Sequence, residues 1–228
     1  AQLVRTAQNA LDGRLTLGVG AASRAHVEGR LGLSWDKPYS FTREFLAALT
    51  PLLAGEPADC AGEQVSAHAT LAIEAPPTPV LLAALGPRML RLAGGSVQGA
   101  TLGQCGPRTI SSYILPHLQS GADRAGRTDS PRVMALVRVC VTDDIAGAKV
   151  IAREVSAAYQ AIPSYAAVIA HEGLDDPADL HLIGSWQQVL DGLAAYARAG
   201  ATDLRIQVVA HDEKSREATK AALADYLS

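Results

Sequence analysis

The stretch Pro79-Val80-Leu81-Leu82-Ala83-Ala84-Leu85-Gly86-Pro87-Arg88-Met89 decides the fold class of this chain. Its apolar and small residues run on from Val80 without alternation, which is typical of a strand buried on both faces. Gly86 allows a tight turn and a close backbone approach, and Pro87 suits the first position of a helix. The stretch therefore predicts a buried strand that leads directly into a helix, whose free N–H groups form a candidate phosphate site.

Strands and helices alternate from this stretch to the end of the chain. Strands are predicted at 14–20, 80–85, 97–102, 133–141 and 203–209. Helices are predicted at 1–11, 41–53 with Ser40 as cap, 87–93 and 107–125, around Pro163 and Trp186, and at 213–227. A further helix is predicted to begin at a cap formed by either Asp143 or Asp144 and to end near Tyr159. Such alternation implies parallel strands with helices outside them. A doubly wound sheet and a (β/α)₈ barrel both fit, and five strands leave a barrel three short.

The length, composition and net charge of the chain limit the kinds of protein that it can be. The 228 residues are 48% hydrophobic and 19% charged, as in an ordinary globular protein, and one domain over 1–228 is predicted, with an excursion at about 55–76. The net charge of −3 argues against nucleic acid and polybasic membrane partners. No apolar run of about 18 residues predicts a membrane span, and no secretion signal is visible.

The cysteines and the start of the chain indicate a compartment and a missing segment. Cys60, Cys105 and Cys140 show no C-x-x-C spacing, which is typical of reduced thiols and predicts a cytoplasmic protein. Ala1 opens a helical pattern with no cap before it. We therefore expect that an N-terminal part precedes this sequence.

Several motifs give weaker signals. Gly18-Val19-Gly20-Ala21-Ala22-Ser23 resembles part of a dinucleotide fingerprint, but Ser23 replaces the third glycine. We favour glycines that let the backbone approach either a ligand or another loop. The six histidines show no metal-ligand spacing, so no metal site is predicted; His26 and His211 stand out because both follow strand ends.

Cys105 and Arg138 are two further candidate residues. No base is placed beside Cys105 in the sequence, so catalysis by its thiol is not expected. Arg138 interrupts an apolar strand. We expect it to pair with a carboxylate, with a polar barrel interior as the alternative.

Three blocks of the chain resemble the luciferase-like monooxygenase family, in particular its deazaflavin (coenzyme F420)-dependent oxidoreductases. The first is Leu11-Asp12-Gly13-Arg14-Leu15-Thr16-Leu17-Gly18-Val19-Gly20. The second comprises 27–38, 43–46 and 52–57, and the third comprises 79–94, 106–109 and 139–144. The resemblance covers essentially the whole chain.

This resemblance implies a luciferase-like (β/α)₈ TIM barrel that is incomplete at its N-terminus. The five predicted strands would be the fourth to the eighth. Ligands of such barrels bind at the carboxyl ends of the strands. By resemblance, the cofactor contacts lie in two loops, formed by Gly20, Ala21, Ala22 and Ser23 and by Ala83, Ala84, Leu85, Gly86 and Pro87.

The function implied is hydride transfer between coenzyme F420 and a small organic substrate, in a cytoplasmic homodimer. Two alternatives stay open. One is an FMN-dependent monooxygenase that uses molecular oxygen. The other is a non-catalytic flavin-binding or partner subunit, because the chain departs from close relatives at Ala22–Ala25 and at Gln98–Gly103. The usual proton donors of the family lie in the absent third, so no catalytic residue is predicted.

Overall fold

The computed structural model describes the backbone of residues 1–228 and every side chain except that of Ala158. The residues group into two units, which are described separately. Unit 1 comprises residues 1–100 and 118–131, and unit 2 comprises residues 101–117 and 132–228. None of the described helices is both long enough and apolar enough to cross a membrane. One domain over 1–228 stays a prediction.

Helices and strands alternate along the chain. The first half contains α1 (Gln2–Ala10), β1 (Leu17–Val19), α2 (Arg24–Leu31), α3 (Pro38–Ala54), β2 (Ala58–Ala61), β3 (Ser66–Ala69), β4 (Val80–Ala83), α4 (Pro87–Ser96) and β5 (Gly99–Leu102). The second half contains α5 (Pro107–Thr109), a π-helical turn (Ile110–Ile114), α6 (Leu115–Arg124), β6 (Arg132–Val141), α7 (Ile145–Gln160), α8 (Pro163–Glu172), a 3₁₀ turn (Pro177–Leu180), β7 (Leu182–Gly184), α9 (Trp186–Arg198), β8 (Asp203–Val208) and α10 (Glu213–Leu227).

In unit 1, β1 and β4 run parallel, with Leu17 opposite Val80 and Val19 opposite Leu82. Residues 80–82 are buried as predicted, with Leu81 and Leu82 only 1% and 0% exposed, whereas Ala83 is exposed and the strand ends there instead of at residue 85. Their apolar surface leaves water on burial, which contributes roughly 25 cal/mol for each Å². This burial holds β4, and with it the loop into α4, in a fixed position.

Buried polar side chains of α1 fasten that helix to the rest of unit 1. The guanidinium of Arg5 donates hydrogen bonds to the carbonyl oxygens of Leu53 and Ile73. The side-chain amide of Gln8 donates to the Pro77 carbonyl oxygen and accepts from the Leu15 N–H. The two residues thereby satisfy a carbonyl group in the last turn of α3 and backbone groups of irregular segments that have no sheet partner.

A β hairpin interrupts the alternation in the region of the predicted excursion. β2 and β3 pair antiparallel, with Ala58 opposite Ala69 and Ala61 opposite Ser66. The Glu44 carboxylate on α3 accepts from the N–H groups of Gln64 and Val65 at the turn. These backbone donors, of which Gln64 is the stronger, lower the pKa of Glu44.

In unit 2, β6 is the central strand. Residues Met134–Val139 pair in parallel with β8, and Val139–Val141 pair in parallel with β7. Val133, Ala135 and Val137 are fully buried. A long apolar strand with parallel neighbours is what the pattern at 133–141 predicts.

The structure corrects several predicted boundaries. β1 covers three residues rather than 14–20. Ser40 lies inside α3 and does not cap it, because Pro38 already starts the helix after Lys37. The structure also contains α2 and β7, which the sequence pattern does not predict because both elements are short. The helical region at 107–125 contains a π-helical turn that a 3.6-residue pattern does not signal.

Other boundaries are confirmed. Gly55 ends α3 in the left-handed conformation with φ 89°. Asp144 caps α7, where its carboxylate accepts from the Gly147 N–H. β6, β8 and α10 begin or end within one residue of the prediction.

Candidate functional site

Two loops that the sequence singles out meet where β1 and β4 end. Because the two strands are parallel and in register, their carboxyl ends lie side by side. A Cβ placed on Gly20 would lie 2.9 Å from the Cβ of Ala83. We call residues Gly20–Ser23 together with Ala83–Pro87 the β1/β4 site. Gly20 permits the contact between its two loops.

The second loop of the β1/β4 site presents the start of α4. Ala83 is exposed, Ala84 is buried and Leu85 is half-buried. Gly86 precedes the helix with φ −82°, and Pro87 takes its first position without any side-chain cap. The first-turn N–H groups of α4 therefore have neither an intrahelical acceptor nor a side-chain acceptor. Such donors, with the positive end of the helix dipole, favour an anion.

Gly86 leaves space in front of these donors. A Cβ placed on this residue would meet no heavy atom within 4 Å. Its φ lies in the region open to every residue, so the turn itself does not require glycine. The absence of a side chain instead keeps the approach to the helix start clear.

The first loop of the β1/β4 site is held by its own contacts. Ala22 adopts a positive φ of 58°, and the Ser23 hydroxyl accepts a hydrogen bond from the His26 N–H as the cap of α2. The indole N–H of Trp35 donates to the Ala21 carbonyl oxygen at 3.1 Å. Sequence reasoning missed Trp35 as a support, because its contact lies 14 residues away along the chain.

Arg138 in unit 2 has amide partners instead of the expected carboxylate. Its Nε donates to Oε1 of Gln207 at 3.2 Å, and its terminal nitrogens lie 2.6 and 3.2 Å from the Gln104 side-chain oxygen in the orientation that satisfies both groups. The ring centroid of Tyr159 lies 5.1 Å from the guanidinium carbon. The expectation of a carboxylate was wrong, because the residue opposite Arg138 in the β6–β8 register is Gln207.

Gly-Pro-Arg occurs twice in the chain, and its second copy, Gly106-Pro107-Arg108, begins a helix that a side chain caps. Both carboxylate oxygens of Glu172 accept from backbone N–H groups, those of Arg108 at 3.1 Å and Thr109 at 2.7 Å. A side chain thus satisfies the donors of α5, in contrast to those of α4. Nearby, burial raises the pKa of the Cys105 thiol, which disfavours the thiolate that nucleophilic catalysis needs.

His211 lies in a polar cavity of about 360 Å³ in unit 2, beside the carboxyl end of β6. Its Nε2 is 3.5 Å from a carboxylate oxygen of Asp144 and 3.6 Å from one of Asp212. Its Nδ1 is 3.3 Å from the Ser215 hydroxyl. Two carboxylates and a hydroxyl thus surround the imidazole at the edge of this cavity. His26 has no such neighbours and lies exposed in the first turn of α2.

No group of three or more metal-ligating side chains occurs among the residues that the structure describes. The family model of the luciferase-like monooxygenases matches residues 1–203. This chain belongs to that family. The membership that the three sequence blocks suggest is thereby confirmed.

Relatives of this luciferase-like chain include oxidoreductases. The 5,10-methylenetetrahydromethanopterin reductase of Methanolobus tindarius is 30% identical over 175 residues, which are 76% of this chain and 53% of the reductase. The F420-dependent glucose-6-phosphate dehydrogenase of Beutenbergia cavernae is 37% identical over 123 residues, 51% of this chain and 36% of that enzyme. The matched part of this chain thus spans about half the length of the reductase and about a third of the length of the dehydrogenase.

A solved structure supports the fold. An F420-dependent secondary alcohol dehydrogenase in complex with an F420-acetone adduct superposes with a TM-score of 0.76 at 18% identity, covering 93% of this chain and 69% of that chain. Together with the parallel strands, this likeness confirms the fold class, a luciferase-like α/β barrel of which this chain forms a part.

Proposed function

We propose that the protein is an oxidoreductase that transfers hydride between coenzyme F420 and a small organic substrate. The family membership and the F420-dependent relative support the cofactor class. The observation that carries the proposal is the β1/β4 site, where two loops meet at the carboxyl ends of parallel strands. Ligands of α/β barrels bind at that end of the strands.

The residues of the β1/β4 site fit a cofactor that carries a phosphate. The start of α4 offers backbone donors without a side-chain cap, and Gly86 leaves the approach to them clear. Backbone N–H groups bind phosphate oxygens without needing a charged side chain. The opposite loop, over Gly20–Ser23, is fixed by Ser23 and Trp35 and would form a wall beside the cofactor.

Deazaflavin, when bound, supplies the hydride chemistry, and the protein's own residues bind it, orient it and exclude water. Under this proposal, Gly86 and the N–H groups of the first turn of α4 hold the phosphate-bearing part. Ala83 and Leu85 present small and apolar surface next to it. Because Gly20 has no side chain, its backbone lies close to Ala83, so the two loops can contact the same ligand.

Titration of the purified protein tests the cofactor. We expect the absorbance and fluorescence of F420 to change on binding at micromolar protein, and reduced F420 to be oxidised when a suitable small carbonyl or imine acceptor is added. A parallel titration with FMN tests the monooxygenase alternative. If neither cofactor binds, both readings are wrong. Tight binding without turnover over a broad acceptor panel would contradict the oxidoreductase and favour a flavin-binding subunit.

A matched pair of variants tests the site. Gly86→Val places a β-branched side chain in front of the α4 donors and should weaken F420 binding by about tenfold or more, since it blocks the phosphate approach. Gly29→Val is the control, because a Cβ on Gly29 also meets nothing within 4 Å, yet Gly29 lies on α2 away from the two loops. Equal affinity for Gly86→Val and the unchanged protein would reject the phosphate assignment.

We also propose a cytoplasmic homodimer, on the strength of the family resemblance alone. Light scattering of the purified protein should give twice the mass of one chain. A monomeric mass at micromolar concentration would contradict the dimer.

A further inference from the structure

Three arginines of unit 1 surround a cavity of about 450 Å³ that none of the predicted cofactor residues lines. Arg88 and Arg91 come from α4, and Arg124 comes from α6. We call Arg88, Arg91 and Arg124, with Tyr39 and Ser96, the three-arginine pocket. Its lining contains no carboxylate.

None of these three guanidiniums forms an ion pair within the described part of the chain, although arginines elsewhere do. Arg24 pairs with Glu28, and Arg153 pairs with Asp176 at 2.7 Å. Three cations that face one cavity without a counter-charge repel one another. An anion with more than one negative charge would relieve this repulsion and would interact with all three.

The frame of the pocket is rigid. A Cβ placed on Gly121 would overlap the backbone carbonyl oxygen of Arg91, so α4 and α6 are in direct backbone contact. This contact fixes the spacing between Arg91 and Arg124. The guanidinium carbon of Arg88 lies 4.3 Å from the ring centroid of Tyr39, so a cation–π interaction orients it in advance of binding.

We infer that the three-arginine pocket binds a small polyvalent oxyanion, with phosphoryl groups as the class that it fits best. Each guanidinium presents a planar fork of donors that matches two phosphoryl oxygens. The Ser96 hydroxyl and the Tyr39 hydroxyl add neutral donors to the same cavity. This inference does not depend on the proposed redox function, since the pocket uses the guanidinium of Arg88, whereas the β1/β4 site uses backbone N–H groups of the first turn of α4.

Calorimetric titration of the purified protein with inorganic pyrophosphate tests the inference at low salt. Arg91→Gln combined with Arg124→Gln should weaken binding by about tenfold or more. Arg198→Gln is the control for the loss of a positive charge outside the pocket, at an exposed position on α9, and it should change affinity less than about twofold. Circular dichroism establishes that each variant is folded.

The same titration separates this pocket from other anion sites. Gly86→Val leaves all three guanidiniums in place and should leave pyrophosphate binding to the three-arginine pocket intact. Citrate in place of pyrophosphate distinguishes phosphoryl groups from carboxylates, and tighter binding of citrate would reject the phosphoryl class. The three-arginine pocket would be rejected as the binding site if the double variant kept its affinity for pyrophosphate. It would also be rejected if Arg198→Gln and the double variant lost affinity equally.

Discussion

At the scale of single residues, positions without a side chain decide how closely backbones approach. Gly121 on α6 and Gly29 on α2 are both helical glycines, and the sequence alone treats them alike. Their surroundings are opposite. A Cβ on Gly121 would overlap the carbonyl group of Arg91, whereas a Cβ on Gly29 would meet nothing within 4 Å.

Alanine substitutions at the two glycines should therefore change stability in opposite directions. Gly121→Ala forces α4 and α6 apart and should lower the free energy of unfolding by about 1–3 kcal/mol, or more. Gly29→Ala removes backbone entropy from the unfolded chain and should raise it by about 0.5–1 kcal/mol. Urea unfolding measures both. Equal midpoints for the two variants would contradict the contact between the helices.

Arg138 shows what a single residue reveals before the structure is known. Its position in an apolar strand predicts a charged side chain in the protein interior, and the residue is indeed only 4% exposed. Its partners cannot be deduced, because Gln207 lies 69 residues away and is brought opposite only by the register of β6 and β8. Local sequence carries no information on that register.

At the scale of elements, two helix starts differ in whether a side chain accepts hydrogen bonds from their first N–H groups. Gly-Pro-Arg begins both α4 and α5. The N–H groups at the α5 start donate to the Glu172 carboxylate of α8, whereas the α4 start has no side-chain cap. The sequence correctly predicts that a helix begins at Pro87 and another at Pro107. Only the structure shows that the N–H groups of the second helix already have a side-chain acceptor.

Removal of the Glu172 carboxylate should weaken unit 2. Glu172→Ala leaves the N–H groups of Arg108 and Thr109 without their acceptor and should lower the free energy of unfolding by about 1–2 kcal/mol. Glu154→Ala, at an exposed position on α7, should change it by less than about 0.5 kcal/mol. Guanidinium unfolding of the two variants makes the comparison. A cost at Glu154 as large as at Glu172 would exclude the cap.

At the scale of the whole molecule, the alternation of strands and helices and the family blocks predict the fold class, and the structure agrees. The buried strand β4 and the strand β6 were predictable because uninterrupted apolar runs identify parallel strands. The shorter β7 and the support of the β1/β4 site by Trp35 were not, since both depend on contacts between residues distant in the chain. The cofactor residues remain a prediction from the resemblance, and the structure shows that the two loops that contain them meet where β1 and β4 end.

Global stability should depend on pH through His181. Burial, and then the charge of Arg138, lower the pKa of this imidazole from 6.5 to about 4. Its Nε2 lies 3.1 Å from the Ser156 hydroxyl, and the side chain is 7% exposed. In the unfolded chain the imidazole binds a proton near pH 6.5, so between pH 6.5 and 4 the unfolded state holds more protons than the folded state.

The stability that His181 contributes is therefore complete above pH 6.5 and is lost as the pH falls towards 4. The loss amounts to roughly 3 kcal/mol by pH 4, because each unit of pKa difference corresponds to about 1.4 kcal/mol. His181→Gln cannot take up a proton, so its free energy of unfolding should fall less steeply over the same window. Urea unfolding at several pH values compares the slopes, since carboxylates titrate alike in both proteins. Parallel curves for the variant and the unchanged protein would show that His181 is not held neutral by burial.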